Sequence, residues 1–171
     1  MDFVVVDVET ANTNPASICQ IAVASFAHER LVNVWGTFVD SGDFFLRSNT
    51  RLHGISAKNV FGSPTWTDLQ SDLRKLLEGN IIASHTEFDR RAMSAANQRC
   101  GLRSIKGGGW IDTCSVARRV WPHLPNHKLS SLARTFRIPY RAHDAREDAR
   151  CAGEILIRAA KTSGLSITVF L

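Results

Sequence analysis

The sequence predicts an α/β domain, a sheet with helices on its faces. Three observations carry this. A valine-rich run, Phe3-Val4-Val5-Val6, ends among acids, as a buried central strand does when its end serves a site. Two further apolar runs follow through short connections, as in an antiparallel meander. Beyond residue 64, short apolar runs alternate with segments of helical periodicity, so strands come first and strand–helix alternation follows.

In chain order, Phe3 to Glu9 is the first strand. Alternation puts Val5, Asp7 and Glu9 on one face and Val4, Val6 and Val8 on the other. Asp7 and Glu9 are then neighbouring like charges on a buried strand, and a cation is the simplest way to stabilise them. The polar turn Thr10 to Pro15 leads to a second strand, about Ile18 to Phe26. His28-Glu29-Arg30 reads as a hairpin turn and Leu31 to Val39 as the third strand. Residues 41–64 read as irregular. Thr67 is expected to cap a helix to about Leu77, with Leu69, Leu73, Leu76 and Leu77 inward and Gly79 ending it. Ile81-Ile82-Ala83 is a short buried strand, followed by a helix from about Glu87 to Cys100. Gly107-Gly108-Gly109 turns the chain into a further short strand, Trp110-Ile111-Asp112. Helices fit Thr113 to Val120, Leu129 to Phe136 and Asp144 to about Thr162, punctuated by Pro122, Pro125 and Pro139. The apolar tail Leu165 to Leu171 reads as a last strand. Without repeat, linker or low-complexity tract, residues 1–171 read as one domain.

A chain of 171 residues, 44% hydrophobic and 22% charged, has enough apolar residues for one full core. No apolar run approaches the roughly 20 residues of a membrane span, and Phe3 to Val6 is too short for a signal peptide. Cys19, Cys100, Cys114 and Cys151 are scattered, so buried free thiols in a reducing, cytoplasmic setting are expected rather than disulfides or a zinc site. The net charge of +5 hides an asymmetry: residues 1–89 hold 6 Lys and Arg against 11 Asp and Glu, residues 90–171 hold 15 against 5. That division fits a polyanion bound on one side and cations held by clustered carboxylates on the other; it also fits a mixed solvated surface.

The start of the last helix brings the chemistry together. Asp144 is placed to be its N-cap and Glu147 the capping-box partner, which makes His143 N′ and Asp148 N4. Those positions lie side by side in a hydrophobic staple, yet they hold an imidazole and a carboxylate. Taken alone, this is a surface ion pair. Taken with Asp7, Glu9 and Asp89, it is a set of acids at element ends. Hard cations take oxygen ligands, and two of them about 4 Å apart can hold both oxygens of a phosphodiester displacement. His143 supplies a group that titrates near neutrality, as a base for water must.

The sequence resembles the DEDDh-type (DnaQ-like) 3′–5′ exonucleases, which include the proofreading subunit of bacterial DNA polymerase III. Val5-Val6-Asp7-Val8-Glu9-Thr10, Ser84-His85-Thr86-Glu87-Phe88-Asp89 and His143 to Asp148 stand in the order of the family's motifs. Leu52-His53-Gly54-Ile55 and Trp110-Ile111-Asp112-Thr113 match landmarks between them. The resemblance spans about residues 3–160 and implies an RNase H-like fold, a mixed five-stranded sheet with helices on both faces. It also implies a metal-dependent 3′–5′ exonuclease that releases 5′-nucleoside monophosphates from single-stranded DNA or RNA ends, with two Mg²⁺ ions that Mn²⁺ can replace. Asp7, Glu9 and Asp148 would hold the ion with the attacking water, Asp7 and Asp89 the second, and His143 would take the proton. One departure concerns substrate: Ser84-His85 stands where the family usually has His-Asn.

Other residues carry two readings each. Thr10 touches the terminal nucleotide or is a plain turn residue. His53 lines a nucleotide pocket or makes a structural hydrogen bond. Ser84 and His85 contact substrate or fill space, and Phe88 stacks on a base or packs beneath Asp89. Asp112 reads as a helix cap, His123 and His127 as surface residues, and Trp35, Trp66, Trp110 and Trp121 as core. The partner expected is a single-stranded nucleic-acid 3′ end, with a homodimer left open. The alternatives are an exoribonuclease acting on short RNA or RNA ends, and a non-catalytic nucleic-acid-binding module, against which the intact acidic set argues.

Overall fold

A computed structural model describes residues 2–171. Its sheet has five strands in the order β3-β2-β1-β4-β5. The strands are β1 (Phe3–Thr10), β2 (Ile18–Ala27), β3 (Arg30–Phe38), β4 (Ile81–Ser84) and β5 (Gly109–Asp112). The first three form the antiparallel meander, and β4 and β5 then add in parallel on the other side of β1. The β2–β3 hairpin turns on His28 and Glu29, both left-handed at φ 50° and 61°, which matches the twist of the strands it joins.

The alternation read from β1 sorts two cores. Phe3 and Val5, with Ala22, Ala24 and Phe26 of β2, pack under α5 (Thr113–Val120), α6 (Leu129–Thr135) and α7 (Ala145–Ser163). Val4, Val6 and Val8, with Ile21 and Val23, pack under α3 (Gln70–Leu77) and α4 (Glu87–Arg99). Helices therefore cover both faces. The long helix α7 approaches β2 closely at Gly153, where a Cβ would stand 2.2 Å from the Phe26 ring. A mid-helix glycine costs about 1 kcal/mol relative to alanine. Here it lets the helix, and with it Asp148, sit down on the sheet.

Several expectations are corrected. Residues 41–64 hold two short helices, α1 (Arg47–His53) and α2 (Ala57–Val60). The first buries no residue, so it carries no apolar stripe to read; Gly54, left-handed at φ 77°, ends it. Thr67 does not cap α3: Thr65 pairs with Asp68, residues 66–69 turn, and the helix begins at Gln70. The tail is a 3₁₀ turn, Ile167–Phe170, rather than a strand, and its two buried residues stand three apart, the period of that helix. Cys100 is exposed, whereas the other three free thiols are buried. Trp66 and Trp121 are core, while Trp35 and Trp110 are only partly covered.

Candidate active site

Strands β1 and β4 pair only at Val4–Ile82 and Val5–Ala83. Beyond that they part, at the carboxyl ends of the parallel strands and beside the switch to antiparallel pairing, where open α/β sheets place ligands. Asp7 and Glu9 lie on this stretch of β1. Asp89 closes the gap: it is buried in the first turn of α4, and its Oδ1 accepts the Val8 amide at 3.0 Å. Thr86 caps that helix by accepting from the Phe88 amide at 3.2 Å, which fixes where Asp89 falls.

The second wall is the start of α7. Asp144 is its N-cap, accepting from the Arg146 amide at 3.2 Å. The capping box does not form, because Glu147 turns outward to Arg150 at 2.8 Å. Gln20, opposite Glu9 on β2, accepts the Ala145 amide at 3.3 Å and ties the helix start to the sheet. His143 is left-handed at φ 63°, a conformation uncommon outside glycine, and this turns its amide onto Asp148 Oδ2 at 3.0 Å. The other Asp148 oxygen accepts the Tyr140 hydroxyl. One ligand atom each from Glu9, His143 and Asp148 lie within 4.8 Å of one another.

The electrostatics are those of crowded acids without cations. Burial, then Asp89, Asp148 and Glu9, hold the Asp7 carboxyl well above its usual range. Burial and the Asp148 charge push Glu9 up to about 8. Burial raises Asp89 and Asp148 too, offset for Asp148 by the hydrogen bonds from Tyr140 and His143. Among the described residues no lysine or arginine forms an ion pair with any of the four. An all-carboxylate set plus one imidazole suits a hard divalent cation, so the residues present fit the metal centre implied by the resemblance.

The other expected substrate contacts are placed differently. Thr10 is buried, and its carbonyl accepts from Asn49 at 2.9 Å and His53 Nε2 at 3.2 Å. His53 Nδ1 accepts the Ile55 amide at 3.0 Å, so both ring nitrogens brace the loop, and burial lowers the ring's pKa. His53 still borders a cavity of about 310 Å³, with Gln20 and His143 on its rim. Ser84 is turned inward. It is fully buried, its hydroxyl donating to the Thr86 carbonyl at 2.5 Å and accepting from Trp110 Nε1 at 3.0 Å. His85 is held internally: Nε2 donates to the His127 carbonyl and Nδ1 accepts from Thr113 Oγ1, each at 3.0 Å, with burial lowering its pKa. His127, expected on the surface, bonds the Trp121 carbonyl at 2.9 Å. Phe88 is 46% exposed, not packed beneath Asp89. Asp112 is a cap, accepting from Ser115 at 2.8 Å. Sequence reasoning missed Tyr140 and Gln20; neither lies in a periodic stripe or a motif that would have flagged it.

The Exonuclease family model, RNase_T, matches residues 4–156, which contain all five of these site residues. The chain belongs to this exonuclease family. Among similar proteins of this exonuclease are PolC-type DNA polymerases III. That of Streptococcus agalactiae serotype III (strain NEM316) is 28% identical over 158 residues, 90% of this chain and 11% of the relative. That of Halalkalibacterium halodurans is 26% identical over 164 residues, 94% of this chain and again 11% of the relative. The exonuclease thus spans about a ninth of the length of these relatives. Among solved structures, Exonuclease X in complex with 5′-overhanging duplex DNA gives TM-score 0.75 at 20% identity, covering 98% of this chain and 96% of that one. E. coli Exonuclease I in complex with a dT13 oligonucleotide gives 0.81 at 15%, covering 95% and 42%. These likenesses confirm the α/β, RNase H-like fold. No helix of the described residues is long and apolar enough to cross a membrane.

Proposed function

We propose that this exonuclease releases nucleoside 5′-monophosphates from the 3′ ends of single-stranded DNA in the cytoplasm, using two Mg²⁺ ions. The observation that carries the reading is the convergence of Glu9, His143 and Asp148 within 4.8 Å, beside half-buried Asp7 and buried Asp89. Asp7, Glu9 and Asp148 would hold one divalent ion, and Asp7 with Asp89 the other. Bound there, the ions would acidify water and neutralise charge on the phosphate.

The chain's own residues do the rest. His143 is exposed at the rim, so its ring can accept a proton from water and pass it to solvent. Asp148 is pinned through both oxygens. Half-exposed Phe88 offers a face to a base without reading its sequence. A second cavity, about 730 Å³, opens on the other side of His143 and is bordered by Arg118, Lys128 and Tyr140. His143 therefore stands between a small pocket suited to one nucleotide and a larger basic one suited to the strand that precedes it. Identity to PolC-type DNA polymerases favours DNA over RNA. Mass analysis of products from unlabelled single-stranded DNA and RNA tests the reading. Nucleoside 5′-monophosphates, faster from DNA, are expected; 3′-monophosphates or internal fragments would contradict it, and faster release from RNA would make the chain an exoribonuclease.

A further inference from the structure

We propose that Tyr140 is a positioning residue for this reaction, its hydroxyl fixing the orientation of the Asp148 carboxylate. The inference rests on the exonuclease reading above. Asp148 has one donor on each oxygen, Tyr140 on Oδ1 and the His143 amide on Oδ2 at 3.0 Å. Both donors come from the turn that enters α7, eight and five residues upstream. A carboxylate oxygen has two acceptor positions, so this arrangement leaves one on each oxygen for a cation or a water. With the His143 amide alone, the group would be held on one side and free to rotate away from Glu9.

The tyrosine can do this because its ring is itself held. It packs against the core under α5–α7, and its exposed edge borders the larger cavity near His85 and Leu129. A seated ring cannot follow a carboxylate that moves, so the hydroxyl is a fixed point. The bond also separates Tyr140 from the base role: its proton is committed to Asp148, whereas the His143 ring faces both Glu9 and Asp148. Hydrogen-bond partners of ligating carboxylates typically contribute about 10–100-fold in metal affinity or activity.

Tyr140 is the one tyrosine of the chain, so growth on 3-fluorotyrosine labels this position alone. The ¹⁹F spectrum should show a single resonance that Asp148→Asn shifts in metal-free protein and that Mn²⁺ broadens. In parallel, Tyr140→Phe keeps the ring and removes only the donor. Its kcat should fall about 10–100-fold on an oligonucleotide and on thymidine 5′-(p-nitrophenyl phosphate) alike, with oligonucleotide KM within about twofold and Mn²⁺ binding by calorimetry weakened. A kcat within about twofold of wild type, or a resonance indifferent to both Asp148→Asn and Mn²⁺, would overturn the proposal. Wild-type protein that hydrolyses neither substrate would count against the exonuclease reading instead, and the ¹⁹F response would still decide the Tyr140–Asp148 contact.

Discussion

The His143 amide donates to Asp148 Oδ2 at 3.0 Å, so the residue whose ring is proposed as the base also holds the neighbouring carboxylate through its backbone. Backbone and side chain of His143 are therefore separable. His143→Ala keeps the amide bond and loses only the imidazole, so kcat should fall on the order of 10²–10⁴-fold while oligonucleotide binding changes little. Near-normal turnover would remove His143 from the base role.

The crowded carboxylates predict how the metal-free protein responds to pH. Glu9 stands at about 8 in the folded chain against an ordinary 4.5, raised by burial and its acidic neighbours. The folded form holds this proton more tightly, so the stability it contributes is complete below the ordinary value and lost as pH rises toward about 8. Protein in EDTA should therefore show a Tm that declines between about pH 5 and pH 8. Asp7→Asn removes a second carboxyl that burial and its acidic neighbours raise, so it should flatten that decline and hold or raise Tm at the upper end. Added Mn²⁺ should stabilise more at the upper pH than the lower, because the cation displaces protons. Calorimetric scans that are flat, or that rise with pH in EDTA, would contradict the electrostatic account.

The larger cavity predicts a difference between long and short substrates. Arg118→Ala and Lys128→Ala each remove an exposed cation from its border. Oligonucleotide affinity should weaken, and the slope of log Kd against log salt should shrink by about 1 for each phosphate no longer neutralised. Hydrolysis of thymidine 5′-(p-nitrophenyl phosphate), which has no preceding nucleotide, should stay within about twofold of wild type. Equal losses on both substrates would place these residues in the chemistry or the fold rather than on the strand.

Much of this was legible because the site is built where local rules are strong. Alternation along β1 assigned Asp7 and Glu9 to one face, and the helix-start frame made His143 and Asp148 neighbours, as they are. The capping box failed because Glu147 had a competing partner in Arg150, which lies on the next turn and outside the cap motif. Ser84 and His85 carry two readings in their motif, and the bonds from Trp110, Thr113 and His127 that hold them come from elements 26 to 42 residues away, outside any local rule. Tyr140 lay in a turn without periodicity. Only the path of that turn beneath Asp148 gives it a role.

The most direct measurement is a 5′-labelled single-stranded DNA oligonucleotide incubated with wild type and Asp7→Asn, in Mg²⁺ and in EDTA. Wild type in Mg²⁺ should give a ladder that shortens from the 3′ end one nucleotide at a time. EDTA and Asp7→Asn should each leave the strand intact, the variant while retaining its Tm. A ladder in EDTA, equal cleavage by Asp7→Asn, or early release of a labelled mononucleotide from the 5′ end would contradict the account.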